Sequence, residues 1–299
     1  MAHTAADALH TSPKAESLRT QIEGADVVRN ACRVVSSELL LGNWIMPNSA
    51  AIVRGPLTIL FDHALFPKPS EALFDVQAWN NASPLEEGRG TVHFVSDDRG
   101  SFLLKPFRRG GLVGKFVKGR YVFISLLHTR MAREWATLRA LRQFDLPVPL
   151  PVATCVIRKG LFYEGSTLYQ RIPQATSFRE HLLQGTASSA LFNAVGKTLA
   201  AFHNKGVFHP DLNTGNVLVT ESAIYLIDFD RFSVCRQRSQ GRVDSNLKRL
   251  RRSIEKLSVL EVNTLDERWQ SLMSGHQSVA VSVASIPSKA SFDLTLDLH

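Results

Sequence analysis

Residues 206–231, GVFHPDLNTGNVLVTESAIYLIDFDR, constrain the fold more than any other part of the chain. Two short β-rich apolar runs, Val217-Leu-Val219 and Ile224-Tyr-Leu-Ile227, flank the polar Thr220-Glu-Ser222, and the pattern predicts a tight hairpin. A polar loop enters the first strand and Asp228 leaves the second. Pairing of the strands would bring Asp211, Asn216 and Asp228 to one end of the ribbon. Taken singly, an acid or amide in such a loop caps its own backbone, and Asn213, Thr214 and Gly215 are explained in that way. The spacing as a whole asks for more.

That spacing resembles the protein-kinase-like phosphotransferase signature, His-x-Asp-Leu-x-x-x-Asn followed by an Asp-Phe pair. His209, Asp211, Leu212, Asn216, Asp228 and Phe229 stand in the matching places. The resemblance implies phosphoryl transfer from ATP, which needs a positioned hydroxyl and metal ions to neutralise charge on the phosphate oxygens. Mg²⁺ is hard and prefers oxygen, so Asn216 and Asp228 are the expected metal ligands. Asp211 is the expected base, orienting the acceptor hydroxyl and taking its proton late in the transfer. His209 reads as a buried brace for the loop rather than a proton carrier.

Composition is that of a soluble globular protein: 299 residues, 44% hydrophobic and 21% charged. No apolar run approaches a bilayer span and the start lacks a secretory pattern, so the site is expected to face the cytoplasm. Cys32, Cys155 and Cys235 are scattered and read as buried thiols of a reducing compartment. The net charge of +8 is concentrated in two blocks, 99–133 and 231–256. Such surfaces suit an anionic substrate or a membrane; no nucleic acid is expected, because no nucleic-acid module or interleaved aromatic pattern accompanies them. Nothing in the sequence sets an oligomeric state.

In chain order the reading gives an N-terminal extension (1–51), partly disordered, with a weak helix over 25–41. A small ATP-binding lobe (52–172), a large catalytic lobe (173–276) and a loose tail (277–299) follow. Strand material at 53–65 precedes Gly88 and Gly90, which would let the backbone approach nucleotide phosphates as a kinase glycine-rich loop does. Strands at 92–95 and 101–104 lead to Lys105, the cation expected at the α- and β-phosphates, with Arg108 as its rival. A helix over 127–144 carries Glu134, the expected partner of Lys105; the alternative is a surface salt bridge with Arg130, Arg133 or Arg139. The proline-rich 146–151 is a linker, 152–157 and 161–163 form a hairpin, and 167–172 is the last small-lobe strand. Adenine is expected to meet main-chain groups near Arg171 and Ile172. Helices are expected over 177–183, 188–204, 245–260 and 265–273.

Further motifs narrow the resemblance: Gly-Arg-Gly (88–90), Arg-Arg-Gly-Gly-Leu-Val-Gly-Lys (108–115), Arg133-Glu134, Leu-Pro-Val-Pro (146–149), Leu-Ile-Asp-Phe-Asp-Arg (226–231) and Asn246-Leu-x-Arg-Leu-x-Arg-Ser253. Together they resemble the bacterial 3-deoxy-D-manno-octulosonic acid (Kdo) kinase family, similar to the lipopolysaccharide core heptose kinases, over roughly residues 52–275. The resemblance implies an α+β, two-lobed protein-kinase-like fold, with an antiparallel sheet lobe carrying one helix and a mainly helical lobe carrying the catalytic hairpin. It also implies ATP-dependent phosphorylation of the 4-hydroxyl of Kdo on a lipid A precursor, at the cytoplasmic face of the inner membrane, with peripheral membrane contact. An anionic glycolipid of this kind would meet the basic blocks, and Arg108, Arg109 and Lys115 are assigned to peripheral binding at the anionic membrane. Only 69 residues follow Asp230, without an Ala-Pro-Glu segment, which argues for a small or glycolipid acceptor rather than a peptide. A heptose kinase, or an antibiotic or choline phosphotransferase, is the alternative; a pseudokinase is disfavoured by Asp211, Asn216 and Asp228 standing together.

Overall fold

The computed structural model describes residues 33–35, 38–41, 44–85, 92–107, 121–229 and 240–280. The described residues form two units: those up to Ala140 with Leu150–Arg171, and Leu141–Pro149 with those from Ile172 to Ala280.

The first unit is built on antiparallel strands. In chain order they are β1 (Arg33–Val35), β2 (Glu38–Leu41), β3 (Trp44–Pro47), β4 (Ser49–Arg54), β5 (Leu57–Asp62), β6 (Asn81–Leu85), β7 (Val92–Asp97), β8 (Gly100–Phe107), β9 (Tyr121–Val122), β10 (Pro151–Lys159) and β11 (Phe162–Gln170). They pair in the order β1-β4-β5-β10-β11-β8-β7-β6, with β9 also on β11 and β2-β3 as a separate ribbon. Central β10 is buried from Pro151 to Val156; the run is apolar but for Thr154, whose hydroxyl donates to the Ser166 carbonyl. Cys155 packs with Ile59, Phe61, Leu104 and Leu168, while Val156 joins Phe107, Tyr163 and Met131. Met131 belongs to α1 (Arg130–Gln143), the one α-helix among the described residues of this unit. Edge strand β6 tolerates Pro84, as an edge can.

Two local expectations are corrected here, and the strand material at 53–65 is resolved into a pair of strands. The helix expected over 25–41 gives way, within its described residues, to β1 and β2. Arg33–Val35 pairs with Ala51–Val53, and the run after β2 returns as β3 across only Gly42 and Asn43, a two-residue spacing that favours a hairpin. The strand material at 53–65 is a hairpin of β4 and β5, turned at Gly55 (φ +56°). The separate strands expected at 161–163 and 167–172 are one continuous β11, because Gly165 does not break it. A Cβ there would stand 2.0 Å from the Cys155 carbonyl oxygen, so the glycine is a close-approach residue.

One charged pair is also interior to this unit. Arg139 of α1 reaches Asp62 at the end of β5, Nη1 to Oδ2 at 2.6 Å, with both side chains under one-tenth exposed. Arg139 is therefore committed to Asp62.

The second unit opens with β12 (Thr176–Ser177) and α2 (Phe178–Leu183), joined by a capping box in which Ser177 and Glu180 satisfy each other's backbone donors. Helix α3 (Ser189–Asn204) follows, then the hairpin β13 (Val217–Val219) and β14 (Ile224–Leu226), then α4 (Gln240–Glu255) and α5 (Val262–Val279). Helix α3 buries Phe192, Val195, Leu199 and Phe202. Its Gly196 lies against the Leu272 carbonyl of α5, and Gly275 of α5 against the Asn193 carbonyl, each position leaving no room for a Cβ. Both later helices differ from expectation. Helix α4 starts five residues before the expected 245, and α5 continues past 273 because Gly275 and His276 are buried against the unit's interior. The sheet-with-helix and mainly helical division is the α+β class expected from the sequence.

Candidate active site

The hairpin register decides which polar groups meet. Val217 pairs with Leu226 and Val219 with Ile224, and Thr220 closes the turn by accepting from and donating to Ala223. One step beyond the last pair, Ile227 N–H donates to the Asn216 carbonyl at 3.1 Å. Asn216 and Asp228 therefore leave the same end of the ribbon.

The loop before β13 is held by its amides. Asn213 Oδ1 accepts from the N–H groups of Gly215 (2.9 Å) and Asn216 (3.2 Å), which winds Thr214–Asn216 into a 3-10 turn. The side-chain nitrogens of Asn213 and Asn216 both donate to the Asp211 carbonyl at 2.9 Å. With its nitrogen so used, the Asn216 amide turns its oxygen away from that carbonyl. This oxygen and the Asp228 carboxylate are the donor types a hard divalent cation takes. Asp228 itself has φ +69°, a left-handed conformation that is costly for a residue with a Cβ and persists where surrounding contacts impose it.

His209 ties the two sides together. It is 3% exposed; its Nε2–H donates to the Ile227 carbonyl at 2.7 Å, and Nδ1 accepts the Asp211 N–H at 3.2 Å. These partners fix one neutral tautomer. Burial holds the imidazole below its ordinary pKa, against the opposing influence of the Ile227 carbonyl and the Asp228 and Asp211 carboxylates. Phe229, fully buried, packs edge-on against this ring at 4.6 Å and stacks on Phe202. His209 is a brace between the residues around Asp211 and the strand before Asp228.

Helix α4 fastens this loop at two points. Asn246 Nδ2 donates to the His209 carbonyl at 2.8 Å, and Ser253 Oγ accepts the Thr214 N–H at 3.1 Å. Asn246 Oδ1 in turn accepts from His203 Nε2 at 3.1 Å, and His203 Nδ1 meets His276 Nε2 at 2.9 Å. Arg249, between the two fastenings, approaches the exposed Asp211 carboxylate, Nη1 to Oδ1 at 3.6 Å. Sequence reasoning missed all of these partners. The one local signal was the seven-residue interval from Asn246 to Ser253, which puts two polar residues on one helical face.

In the first unit, Lys105 of β8 and Glu134 of α1 form an ion pair, Nζ to Oε1 at 3.5 Å, with Glu134 1% exposed. Arg171 N–H is used by the Ser101 carbonyl at 3.0 Å, and its guanidinium lies 4.2 Å from the centre of the Phe94 ring. Ile172 falls in the second unit. Gly88, Gly90, Arg108, Arg109 and Lys115 lie outside the described residues, as do Cys32 and Cys235. Cys155 is buried, and burial pushes its thiol up to about 12. No described helix is long and apolar enough to cross a membrane.

Residues 77–276 match the model of the lipopolysaccharide kinase (Kdo/WaaP) family. The chain is similar to the 3-deoxy-D-manno-octulosonic acid kinase of Vibrio vulnificus (strain YJ016), 36% identical over 229 residues that cover 75% of this chain and 96% of the relative. It is likewise similar to the protein of that name from Xanthomonas axonopodis pv. citri (strain 306), 37% identical over 207 residues, 68% of this chain and 82% of that one. A solved structure titled "WaaP in complex with acyl carrier protein" gives a TM-score of 0.44 at 15% identity, over 69% of this chain and 86% of that chain. On the family match and the similarity of these kinases over most of their length, the chain belongs to the lipopolysaccharide kinase (Kdo/WaaP) family.

Proposed function

We propose that this chain transfers the γ-phosphoryl group of ATP to the 4-hydroxyl of Kdo on a Kdo-lipid A precursor, in lipopolysaccharide core synthesis. The observation that carries the reading is the polar end of the β13-β14 hairpin, where the hydrogen-bonded loop of Asp211 and Asn216 is tied to Ile227, the residue before Asp228. The substrate class comes from the kinases to which the chain is similar.

In this reading the Asp211 carboxylate accepts a hydrogen bond from the acceptor hydroxyl. The hydroxyl oxygen bonds to the γ-phosphorus as the bond to the β-phosphate bridging oxygen breaks; ADP leaves and the proton passes to Asp211. Asn216 and Asp228 would hold Mg²⁺, which when bound neutralises charge on the phosphate oxygens. Lys105, steadied by the buried Glu134, serves the α- and β-phosphates. Gly88 and Gly90 are assigned to the phosphates, and the main chain at Arg171 and Ile172 to adenine.

Peripheral contact with the cytoplasmic face of the inner membrane completes the reading. It is supported by the basic run that includes Arg108, Arg109 and Lys115. It is also supported by Val122, Ile124 and Leu161, exposed at 62, 73 and 75%. Phe162 pairs with Val122, and Phe123 N–H donates to the Leu161 carbonyl, so the three aliphatic side chains belong to neighbouring strand ends.

The test is transfer of labelled γ-phosphate from ATP to Kdo-lipid A precursor with Mg²⁺, parent against Asp211→Ala. The parent is expected to transfer, and the variant to lose on the order of 10²-fold or more in kcat. A folded, ATP-binding parent that leaves this acceptor unlabelled rejects the reading.

A further inference from the structure

Asn246, Arg249 and Ser253 stand three and four residues apart on α4, so they follow one face of the helix. The outer two are the fastenings to the His209 carbonyl and to Thr214. These two loop positions bracket Asp211 in sequence, as Asn246 and Ser253 bracket Arg249. The match in order puts the guanidinium beside the carboxylate.

The pair does not resemble a structural salt bridge. At 3.6 Å it is longer than a charge-assisted hydrogen bond, and the two side chains are 47% and 69% exposed. The neighbouring Arg251 shows the contrast: it is bound to Glu255 at 3.0 Å and to Asp266 of α5 at 2.6 Å, and both carboxylates raise its pKa. Arg251 joins α4 to α5. Arg249 offers a planar fork of donors, suited to a carboxylate, at the edge of the site where the acceptor hydroxyl would be received.

We propose that Arg249 forms an anion subsite for the acceptor sugar, taking the carboxylate of a ulosonic acid while the hydroxyl to be phosphorylated sits at Asp211. The inference rests on the acceptor proposed above. In a 2-ulosonic acid the carboxylate is carried on C2, two carbons from the 4-hydroxyl, so a hydroxyl at Asp211 brings its own carboxylate toward the adjacent guanidinium. Before the acceptor arrives Arg249 rests on Asp211. The acceptor carboxylate draws it away and leaves Asp211 to the hydroxyl. A neutral sugar offers no such exchange, and this gives the site its preference for an acid.

The experiment compares two acceptors, Kdo-lipid A precursor and the same molecule with the Kdo carboxylate converted to the carboxamide, on the full chain with Arg249→Gln and Arg249→Lys. The parent is expected to favour the acid about tenfold to a hundredfold in kcat/KM, mainly through KM. Arg249→Gln should abolish that preference, the KM for the acid rising while the carboxamide, no longer competing with Arg249 for Asp211, is turned over at least as well as by the parent, and Arg249→Lys should restore part of the preference. Equal losses on both acceptors would show that Arg249 only positions Asp211 and would overturn the subsite, as would an unchanged preference in Arg249→Gln. If the parent phosphorylates neither acceptor, the proposed reaction fails separately. Calorimetric binding of free Kdo and its carboxamide then decides: a preference for the acid that Arg249→Gln loses supports the subsite, and equal binding by the parent overturns it.

Discussion

His203 and His276 are hydrogen-bonded to one another, Nδ1 to Nε2 at 2.9 Å, with both rings buried in the second unit. The Asn246 nitrogen donates to the His209 carbonyl, so its oxygen must accept from His203 Nε2; in the neutral ring this makes Nδ1 the acceptor and His276 the donor. A chain of three side chains thus runs from α5 to the backbone two residues before Asp211. His276→Phe keeps the bulk and removes the donor. It should cost about 1–3 kcal/mol of stability in denaturant unfolding, and lower kcat more than the KM for ATP. A variant of parental stability and kcat would show that the chain positions nothing.

His209 links stability to pH. The unfolded imidazole takes its proton near its ordinary 6.5, whereas burial lowers the folded value. In the window between the two the unfolded state holds more protons, so stability rises with pH there. The contribution is whole above about 6.5 and is lost as pH falls from there through the folded value. Melting temperatures taken from pH 8 downward should decline on the acid side of that point. In His209→Gln the decline should be shallower, from a lower starting stability, and a slope identical to the parent's would remove His209 as its source.

Asp62→Ala leaves the Arg139 guanidinium in the interior without its carboxylate. Breaking one side of a buried ion pair costs about 3–5 kcal/mol, and urea unfolding of the parent and variant measures it. Asp62→Asn, which keeps an oxygen acceptor, should cost less. Equal midpoints for parent and Asp62→Ala would mean that the pair adds nothing.

Val122→Asp with Leu161→Asp places two charges on the exposed aliphatic strand ends. Cosedimentation with anionic phospholipid vesicles should fall at least about tenfold. Turnover of a soluble Kdo acceptor should be unchanged. Vesicle binding equal to the parent's would move the membrane contact elsewhere on the chain.

The hairpin and its loop could be read from sequence because their partners are local. Asn216 and Asp228 are separated only by the strands whose register brings them together, and Asn213 caps the next three residues. The Lys105–Glu134 pair was also anticipated, though its partners are far apart in sequence, because the kinase pattern names them. Contacts without such a pattern stayed hidden. Arg139 lies among other arginines on a helix, and nothing near it points to an aspartate 77 residues earlier. Gly196 and Gly275 read as helix-weakening residues until the facing carbonyls of α5 and α3 are seen. Strand β1 depends on β4, so the apolar spacing around it could be taken for a weak helix.

Because α4 is joined to the loop by one amide and one hydroxyl on a single stripe, the position of Asp211 depends on little of that helix's surface. Lys248 and Arg252 stand away from that stripe and are open to solvent. Mutation can therefore redraw the charge on the outside of α4 without disturbing the chemistry.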